Sequence, residues 1–177
     1  MKPAGYLILV GLMCAGKTTV GRLLARRLKR GFFDADEEIE RRCGVRIPVI
    51  FDIEGETGFR ARESQVIAEL CALDNAVLAT GGGAVLAAEN RRQIAAHGTV
   101  IYLHARAAHL WQRVRHDRNR PLLATADPQR RLEELYAERD PLYREVADLV
   151  IDTGKQSVQT LAKDLFARLE GICSLSA

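Results

Sequence analysis

One segment near the start of the chain has the residue types and spacing of a phosphate-binding loop. Gly11, Gly16, Lys17 and Thr18 occupy the fixed positions of the pattern G-x-x-x-x-G-K-[ST]. Glycines let backbone N–H groups turn inward around phosphate oxygens, and the N-terminus of a following helix favours an anion. A lysine reaches the outer phosphates as a point charge, and a threonine hydroxyl is the kind of hard oxygen ligand that Mg²⁺ prefers. The motif therefore predicts binding of a nucleoside triphosphate with Mg²⁺.

Two carboxylates, Asp34 and Asp36, lie two residues apart after a short apolar segment. In open α/β folds, ligands bind at the carboxyl ends of the strands, so both side chains are candidates for the site. A carboxylate there can orient metal-bound water, or it can accept the proton of a substrate hydroxyl. The same residues precede an acidic helix start, and helix capping explains them equally well. The sequence alone leaves both interpretations open.

A run of three glycines, residues 81–83, follows another apolar segment. Such a run lets a ligand approach the backbone closely, although a flexible turn has the same composition. Arg60 and Arg139 lie in helical patterns, where a solvent-exposed charge is enough to explain an arginine. By themselves, these residues do not predict a function. Their roles follow only when they are considered together with the other motifs of the chain.

The elements that must position these residues alternate along the chain. Short apolar runs predict strands, and the segments between them repeat apolar residues at helical spacing, as Val20, Leu24 and Leu28 do. The predicted strands cover residues 6–10, 32–34, 76–79, 100–103 and 149–151. Strands that alternate with helices are typical of a parallel sheet covered on both faces, so we predict a three-layer α/β/α fold.

Length and composition restrict the class of protein. The chain has 177 residues, 47% of them hydrophobic, which predicts a single domain. Its formal net charge of +3 is small for a general polyanion binder, and no apolar stretch approaches the roughly 18 residues of a membrane span. The four cysteines show no C-x-x-C spacing, which favours free thiols. We expect a cytoplasmic monomer that binds neither nucleic acid nor membrane.

Six motifs together resemble the shikimate kinase family and follow the same order along the chain. They are the phosphate loop with Thr19-Val20-Gly21, the pair Asp34 and Asp36, the segment 54–60, the glycines 81–83, Arg120-Pro121-Leu122-Leu123, and the segment 138–143. The resemblance implies a P-loop kinase fold like that of nucleoside monophosphate kinases, with a five-stranded parallel sheet. It also implies ATP-dependent phosphorylation of the 3-hydroxyl of shikimate, a step toward chorismate and the aromatic amino acids.

The resemblance also assigns roles to the residues on the acceptor side. Asp36 would hold the ring hydroxyls of shikimate and receive the reacting proton. Arg60 and Arg139 would bind the carboxylate of the substrate, and the backbone around Gly82 would complete the pocket. The family places this pocket beside a helical substrate-binding region, here about residues 36–62.

On the nucleotide side, the resemblance implies that Lys17 and Arg120 supply positive charge to the transferring phosphate. Thr18 and Asp34 would hold Mg²⁺, Asp34 through a water molecule. Arg120 belongs to a proposed mobile lid of about residues 116–128, which would close over ATP and exclude water. The other predicted nucleotide contacts are Cys14, Ala15, Gly16, Thr19 and Gln156.

Two features depart from the family pattern. Cys14 stands at a loop position where the family commonly has glycine or another small residue, and its thiol would add sensitivity to oxidants. The adenine contacts that the family places near Arg113 and just beyond the last strand match this sequence loosely.

Two alternative functions fit parts of the sequence. A P-loop kinase acting on gluconate or a nucleoside monophosphate would share the phosphate loop. Two arginines together with Asp36 favour an acceptor that has both a carboxylate and hydroxyls, which disfavours the nucleotide but not gluconate. An RNA-binding module would use the arginines of residues 113–120, but that segment lacks interleaved aromatic side chains apart from the nearby Trp111.

Overall fold

Strands and helices alternate along residues 6–117, 120–154 and 156–174, the parts of the chain that the computed structural model describes. The strands are β1 (Leu7–Val10), β2 (Gly31–Asp34), β3 (Ala76–Ala79), β4 (Thr99–His104) and β5 (Leu149–Asp152). The helices are α1 (Lys17–Leu28), α2 (Ala35–Cys43), α3 (Ile47–Cys71), α4 (Ala88–His97), α5 (Ala107–Val114), α6 (Pro128–Val146) and α7 (Val158–Ser174), with a 3₁₀ turn at Pro121–Leu123. Every predicted strand is present, and its ends differ from the prediction by at most one residue.

The strands form one parallel sheet in the order β2-β3-β1-β4-β5, which confirms the predicted five-stranded α/β fold. Strand β1 lies at the centre, where Leu7 faces Val77 of β3 on one side and Thr99 of β4 on the other. The direction of strand order reverses beside β1, and ligands bind at such a reversal, outside the carboxyl ends of the strands. The phosphate loop follows β1, Asp34 ends β2, and the glycine run follows β3. Three motifs that are remote in sequence therefore meet at one edge of the sheet.

The core is built from the central strands and the helices that cover them. All residues of β1 and β3 are buried, as expected for parallel strands with both faces covered. Helix α1 packs against α7, whereas α4 packs against α3 and α6. The outer strands β2 and β5 carry partly exposed apolar side chains, including Phe33 and Val150.

Helix α3 begins earlier than the sequence predicts. The apolar pattern indicates a helix from Phe59, but the helix starts at Ile47 and is kinked at Gly55, whose φ of 69° is left-handed. A glycine tolerates this conformation without a Cβ clash. The Phe51 and Phe59 rings, whose centroids are 4.9 Å apart, pack together across the kink. Phe51, in the first part of the helix, lines the crevice at the sheet edge, and the kink interrupts the periodicity on which sequence prediction depends.

The segment between α5 and α6 contains little regular structure. Its described part holds only the 3₁₀ turn, which starts after Arg120, and it ends where Asp127 caps α6 by accepting a 3.1 Å hydrogen bond from the N–H of Arg130. The predicted lid boundary at residue 128 coincides with the first residue of α6. Among the described residues, no helix combines the length and the apolarity that crossing a lipid bilayer requires.

Candidate active site

The phosphate loop connects β1 to α1 through two glycines with positive φ. Gly11 has a φ of 146°, and a Cβ there would lie 2.7 Å from the carbonyl oxygen of Leu103. Gly16, with a φ of 98°, precedes the first residue of α1. Only glycine fits the first of these positions, and glycine relieves the backbone at the second. The loop therefore has the backbone shape that turns N–H groups toward an anion.

Lys17 is held at the floor of this loop. Its Nζ donates hydrogen bonds to the carbonyl oxygens of Gly11 at 2.7 Å and Leu12 at 3.0 Å. Burial lowers the pKa of Lys17 to about 8, although the negative charges of Asp36 and Asp34 oppose this shift. Lys17 is thus a cation at neutral pH, fixed where the outer phosphates of a nucleotide would lie.

The two oxygens of the Asp34 carboxylate have different partners. Oδ1 accepts hydrogen bonds from the N–H groups of Asp36 at 3.0 Å and Glu37 at 3.2 Å and so caps α2. Oδ2 accepts a 2.6 Å hydrogen bond from the Thr18 hydroxyl of the phosphate loop. Asp34 can therefore both cap α2 and belong to the site, because capping uses Oδ1 and the contact with the phosphate loop uses Oδ2.

Asp36 has no capping role and is half-buried in the crevice, where its Oδ1 atom is inaccessible to solvent. Its Oδ1 accepts no hydrogen bond from any residue in the described part of the chain. Burial raises the pKa of the Asp36 carboxyl to about 7, and the charges of Asp34 and Glu63 act in the same direction. A buried carboxylate with an unsatisfied oxygen is costly unless a ligand supplies the missing donor, so Asp36 is suited to bind a hydroxyl.

Glu63 is a site residue that the sequence analysis did not identify. Its side chain is 1% exposed, and its Oε2 lies 2.6 Å from Nη1 of Arg60. Arg60 also donates to Oε1 of Glu56, from Nη2 at 2.9 Å and from Nε at 3.2 Å. Burial raises the pKa of Glu63, whereas the charge of Arg60 opposes this. The spacing of Arg60 and Glu63, three residues apart on one helix, was the available signal.

Two of the three glycines of residues 81–83 give room to charged side chains. A Cβ on Gly81 would overlap Oε1 of Glu63 and lie 2.8 Å from Oδ1 of Asp36. A Cβ on Gly83 would overlap the Arg60 guanidinium. Gly81 and Gly83 are therefore required by close packing of ionic groups, and a Cβ on Gly82 would lie 3.3 Å from the backbone nitrogen of Met13. This role is more specific than the flexible turn that the composition also allows.

Arg139 is one of the most deeply buried side chains of the protein. It is 2% exposed, and its Nε and Nη1 atoms donate to none of the described residues. Arginine remains charged in proteins, and a buried charge is stable only when it is paired. These free donors line the crevice and are suited to an anionic ligand with two oxygens, such as a carboxylate.

Two cavities meet at this crevice. The first, of about 80 Å³, is the acceptor cavity and is lined by side chains including Phe51, Phe59, Arg60, Glu63 and Arg139. The second, of about 220 Å³, is the phosphate cavity and is lined by Cys14, Gly16, Lys17, Thr18, Thr19, Asp34 and Thr80. Met13, Asp36, Gly82 and Arg120 line both cavities. Lys17, Asp36, Arg60 and Arg139 are thus brought around one connected space.

Arg120 reaches this space from the segment before the 3₁₀ turn. Its Nε donates a 2.8 Å hydrogen bond to Oδ2 of Asp117. The terminal Nη1 and Nη2 atoms have no hydrogen bond to the residues that the structure describes. The guanidinium therefore has its two terminal nitrogens available at the boundary between the cavities.

Of the other predicted nucleotide contacts, Arg113 and Ala15 lie at the phosphate loop, whereas Gln156 does not line the phosphate cavity. Arg113 of α5 donates from Nη1 to the carbonyl of Cys14 at 3.2 Å and from Nη2 to the carbonyl of Thr153 at 3.1 Å. It thereby joins the phosphate loop to the segment after β5. Ala15 is buried within the loop, and Gln156 lines a separate groove between β5 and α7.

Comparison with known proteins identifies the family. A family model described as shikimate kinase matches residues 13–170. The chain belongs to the shikimate kinase family. It is 62% identical to a shikimate kinase of Cupriavidus pinatubonensis over 164 residues, which cover 93% of this chain and 85% of the relative. It is 60% identical to a shikimate kinase of Burkholderia thailandensis over 168 residues, which cover 95% of this chain and 91% of that relative.

Solved structures give the same result. Shikimate kinase from Acinetobacter baumannii in complex with shikimate is similar with a TM-score of 0.92 and 46% identity, covering 97% of this chain and 94% of that one. A gluconokinase from Sinorhizobium meliloti is similar with a TM-score of 0.62 but 15% identity, covering 97% and 95% of the two chains. The gluconokinase likeness is one of fold alone.

Proposed function

We propose that the protein transfers the γ-phosphoryl group of ATP to the 3-hydroxyl of shikimate and releases shikimate 3-phosphate and ADP. The observation that carries this proposal is the position of Asp36, which lines both the phosphate cavity and the acceptor cavity. A group at this boundary is suited to hold the hydroxyl that accepts phosphate. Family membership and the likeness to an enzyme solved with shikimate support the choice of acceptor.

The acceptor cavity has complementary groups for each end of a hydroxylated carboxylate. Arg139 offers two buried donors that lack partners among the described residues, and these suit the carboxylate. Arg60 adds a second cation, although it is already paired with Glu56 and Glu63. Asp36 and the backbone at Gly82 face the same cavity and would hold the hydroxyls. Phe51 and Phe59 provide an apolar wall against which the ring would pack.

Phosphoryl transfer requires in-line positioning and charge compensation more than covalent help from the protein. The backbone of the phosphate loop, including Cys14, Ala15 and Gly16, would hold the phosphates, with Thr19 at the start of the helix. Lys17 would exchange its hydrogen bonds to loop carbonyls for bonds to phosphate oxygens. Arg120 would contribute its two free terminal nitrogens to the transferring group. Gln156 remains a proposed adenine contact.

The residues at the helix start fit a Mg²⁺ site. The Thr18 hydroxyl and the Asp34 carboxylate are hard oxygen donors 2.6 Å apart, and both line the phosphate cavity. No group of three acidic, histidine or cysteine residues suited to a metal occurs in the described ranges. A pair such as Thr18 and Asp34 is the arrangement expected for Mg²⁺, which binds through one or two side chains with water and substrate phosphates. When bound, Mg²⁺ would offset the negative charge of the phosphates.

Asp36 would also accept the proton of the reacting hydroxyl. As the substrate oxygen forms its bond to phosphorus, the bond from phosphorus to the leaving oxygen of ADP breaks, and the hydroxyl proton passes to an Asp36 oxygen. A pKa near 7 leaves a substantial fraction of Asp36 ionised at neutral pH, so it can perform this role.

The segment between α5 and α6 would act as a lid. Residues 116–128 would close over the bound nucleotide and exclude water, which otherwise competes with the hydroxyl as acceptor. Residues 36–62 would form the substrate-binding part of a single kinase domain. We place the protein in the cytoplasm, where ATP is available, and predict a monomer.

The test is ADP release with Mg²⁺-ATP and separate additions of shikimate, gluconate or a nucleoside monophosphate. Of the three acceptors, we expect only shikimate to raise ADP release above the rate measured with buffer. A rate of ADP release with shikimate that equals the rate with buffer would reject the proposal. Asp36→Asn should abolish transfer while ATP binding persists, because the substitution leaves the phosphate loop intact. The exposed Asp74→Asn provides the matched control and should retain full turnover. Loss of ATP binding in Asp36→Asn would reassign Asp36 to the nucleotide.

A further inference from the structure

Tyr143 is a buried hydroxyl that the proposed catalytic and binding roles leave unused. It lies on α6 one turn after Arg139 and is 1% exposed. Its hydroxyl donates a hydrogen bond to the carbonyl oxygen of Gly82. Gly82 and Gly83 line the acceptor cavity, whereas Tyr143 is not part of the lining. The tyrosine therefore contacts the glycine run without lining the cavity itself.

This contact fixes the orientation of one peptide group. A peptide bond is planar and trans, so the N–H of Gly83 points to the side opposite the carbonyl of Gly82. Because the carbonyl faces Tyr143, which does not line the cavity, we expect that N–H to face the cavity that Gly83 lines. Neither Gly82 nor Gly83 donates its N–H to a residue within the described ranges. The glycine run thus presents unused backbone donors to the space where an acceptor hydroxyl would lie.

A run of three glycines has little intrinsic preference for this orientation. Without Cβ atoms, rotation of the peptide between Gly82 and Gly83 meets a low steric barrier. The hydroxyl of Tyr143 is the side-chain group that bonds this peptide in the described structure. Burial raises the pKa of Tyr143, so the hydroxyl stays protonated and remains a donor at working pH.

Tyr143 is itself rigidly placed. Its ring packs against that of Tyr102, with centroids 4.9 Å apart, and the Tyr102 hydroxyl donates a 2.8 Å hydrogen bond to Asp140 of α6. Arg139 and Tyr143 are four residues apart on α6 and so lie on the same face of the helix, and the charge of Arg139 opposes the burial that raises the pKa of Tyr143. One turn of α6 therefore carries the proposed carboxylate-binding residue and the anchor of the glycine peptide.

We propose that Tyr143 is a positioning residue that holds the Gly82–Gly83 peptide with its N–H toward the acceptor cavity, at a set distance from Arg139. This inference rests on the proposed function, because it assigns to the acceptor a hydroxyl that receives the backbone donor while its carboxylate contacts Arg139. Tyr143 itself touches neither substrate nor nucleotide.

The test compares Tyr143→Phe with Tyr136→Phe. Both variants keep the aromatic ring on α6, but the Tyr136 hydroxyl contacts Nε2 of His104 at 2.9 Å and lies outside the cavity lining. In Tyr143→Phe we expect the KM and the calorimetric Kd for shikimate to rise about 5- to 20-fold, which matches the loss of one buried hydrogen bond. The KM for ATP should stay within about twofold of wild type, and Tyr136→Phe should leave the shikimate Kd unchanged.

Several outcomes would overturn the inference. They are an unchanged shikimate Kd in folded Tyr143→Phe, an equal rise in the ATP and shikimate constants, and an equal effect of Tyr136→Phe. Absence of shikimate-dependent ADP release by the wild-type protein would instead reject the proposed function. Calorimetric binding needs no turnover, so the effect of Tyr143 on shikimate affinity is measured in that case as well.

Discussion

Asp36 and Glu63 each place one carboxylate oxygen against Gly81, and neither oxygen accepts a hydrogen bond from the described residues. Two neighbouring carboxylates that each have a buried oxygen repel each other, and the charge of Glu63 adds to the burial that raises the pKa of Asp36. Lys17 and Arg120 counteract this shift without removing it. The pair is therefore unfavourable for folding and is arranged for a ligand that donates hydrogen bonds.

The first prediction concerns the pH dependence of stability. Asp36 has a pKa near 7 in the folded protein and about 4 when unfolded. Between these values the folded state binds more protons than the unfolded state, so the contribution of Asp36 to stability decreases as pH rises. Asn cannot ionise and avoids this loss. We expect the Tm of Asp36→Asn to match wild type near pH 4 and to exceed it by several degrees above pH 7, as measured by calorimetry.

The exposed substitution Asp74→Asn is the control for this experiment, since its carboxylate lies in solvent. Its Tm should follow the wild-type curve at every pH. A Tm difference between Asp36→Asn and wild type that is constant with pH would contradict the assignment of a raised pKa to Asp36.

The second prediction concerns Gly81. In Gly81→Ala the new methyl group would overlap Glu63 and crowd Asp36, so one of these buried carboxylates must move. We expect the KM for shikimate to rise at least about tenfold, whereas ATP affinity stays close to wild type. In Gly31→Ala, at the start of β2, the new methyl group would lie 3.3 Å from the Phe33 side chain and 3.8 Å from Cβ of Ala76, so this variant should change neither constant. Normal shikimate kinetics in Gly81→Ala would show that the carboxylates tolerate displacement.

The sequence predicted the features that depend on local spacing. The strands follow from apolar runs and the phosphate loop follows from one motif, so the residues of each segment are enough to locate it. The roles of Asp36, Arg60 and Arg139 came from resemblance, because by themselves a capping carboxylate and two helical arginines have ordinary explanations.

The parts that were missed depend on packing between distant segments. Glu63 becomes a site residue because α3 passes the glycine run, and Tyr143 because its hydroxyl contacts that run from α6. The spacing of Arg60 and Glu63 predicts an ion pair, but neither segment by itself predicts the contact with the glycine run. Apolar spacing predicts a start at Phe59 for α3, later than the observed Ile47, because a left-handed glycine at residue 55 interrupts the helical periodicity.

The third prediction concerns Arg120. Its guanidinium lies at the boundary of the two cavities with both terminal nitrogens available, so it is placed to stabilise the charge of the transferring phosphate. We expect Arg120→Ala to lower kcat by about 10³-fold, in line with arginines of similar role. Arg115→Ala removes a neighbouring exposed arginine outside both cavities and should retain turnover. Turnover of Arg120→Ala close to the Arg115→Ala value would remove Arg120 from the mechanism.

The fourth prediction concerns Cys14 of the phosphate loop. Its φ of 59° is left-handed, a conformation that costs a residue with a Cβ about 1 kcal/mol more than glycine. We expect Cys14→Gly to be more stable than Cys14→Ala by about that amount, or roughly 2–4 °C in Tm for a protein of this size. Both variants should keep ADP release within a few-fold of wild type, because the loop binds phosphate through its backbone. Equal Tm values for the two variants would show that the loop relaxes out of the left-handed conformation and that Cys14 carries no strain.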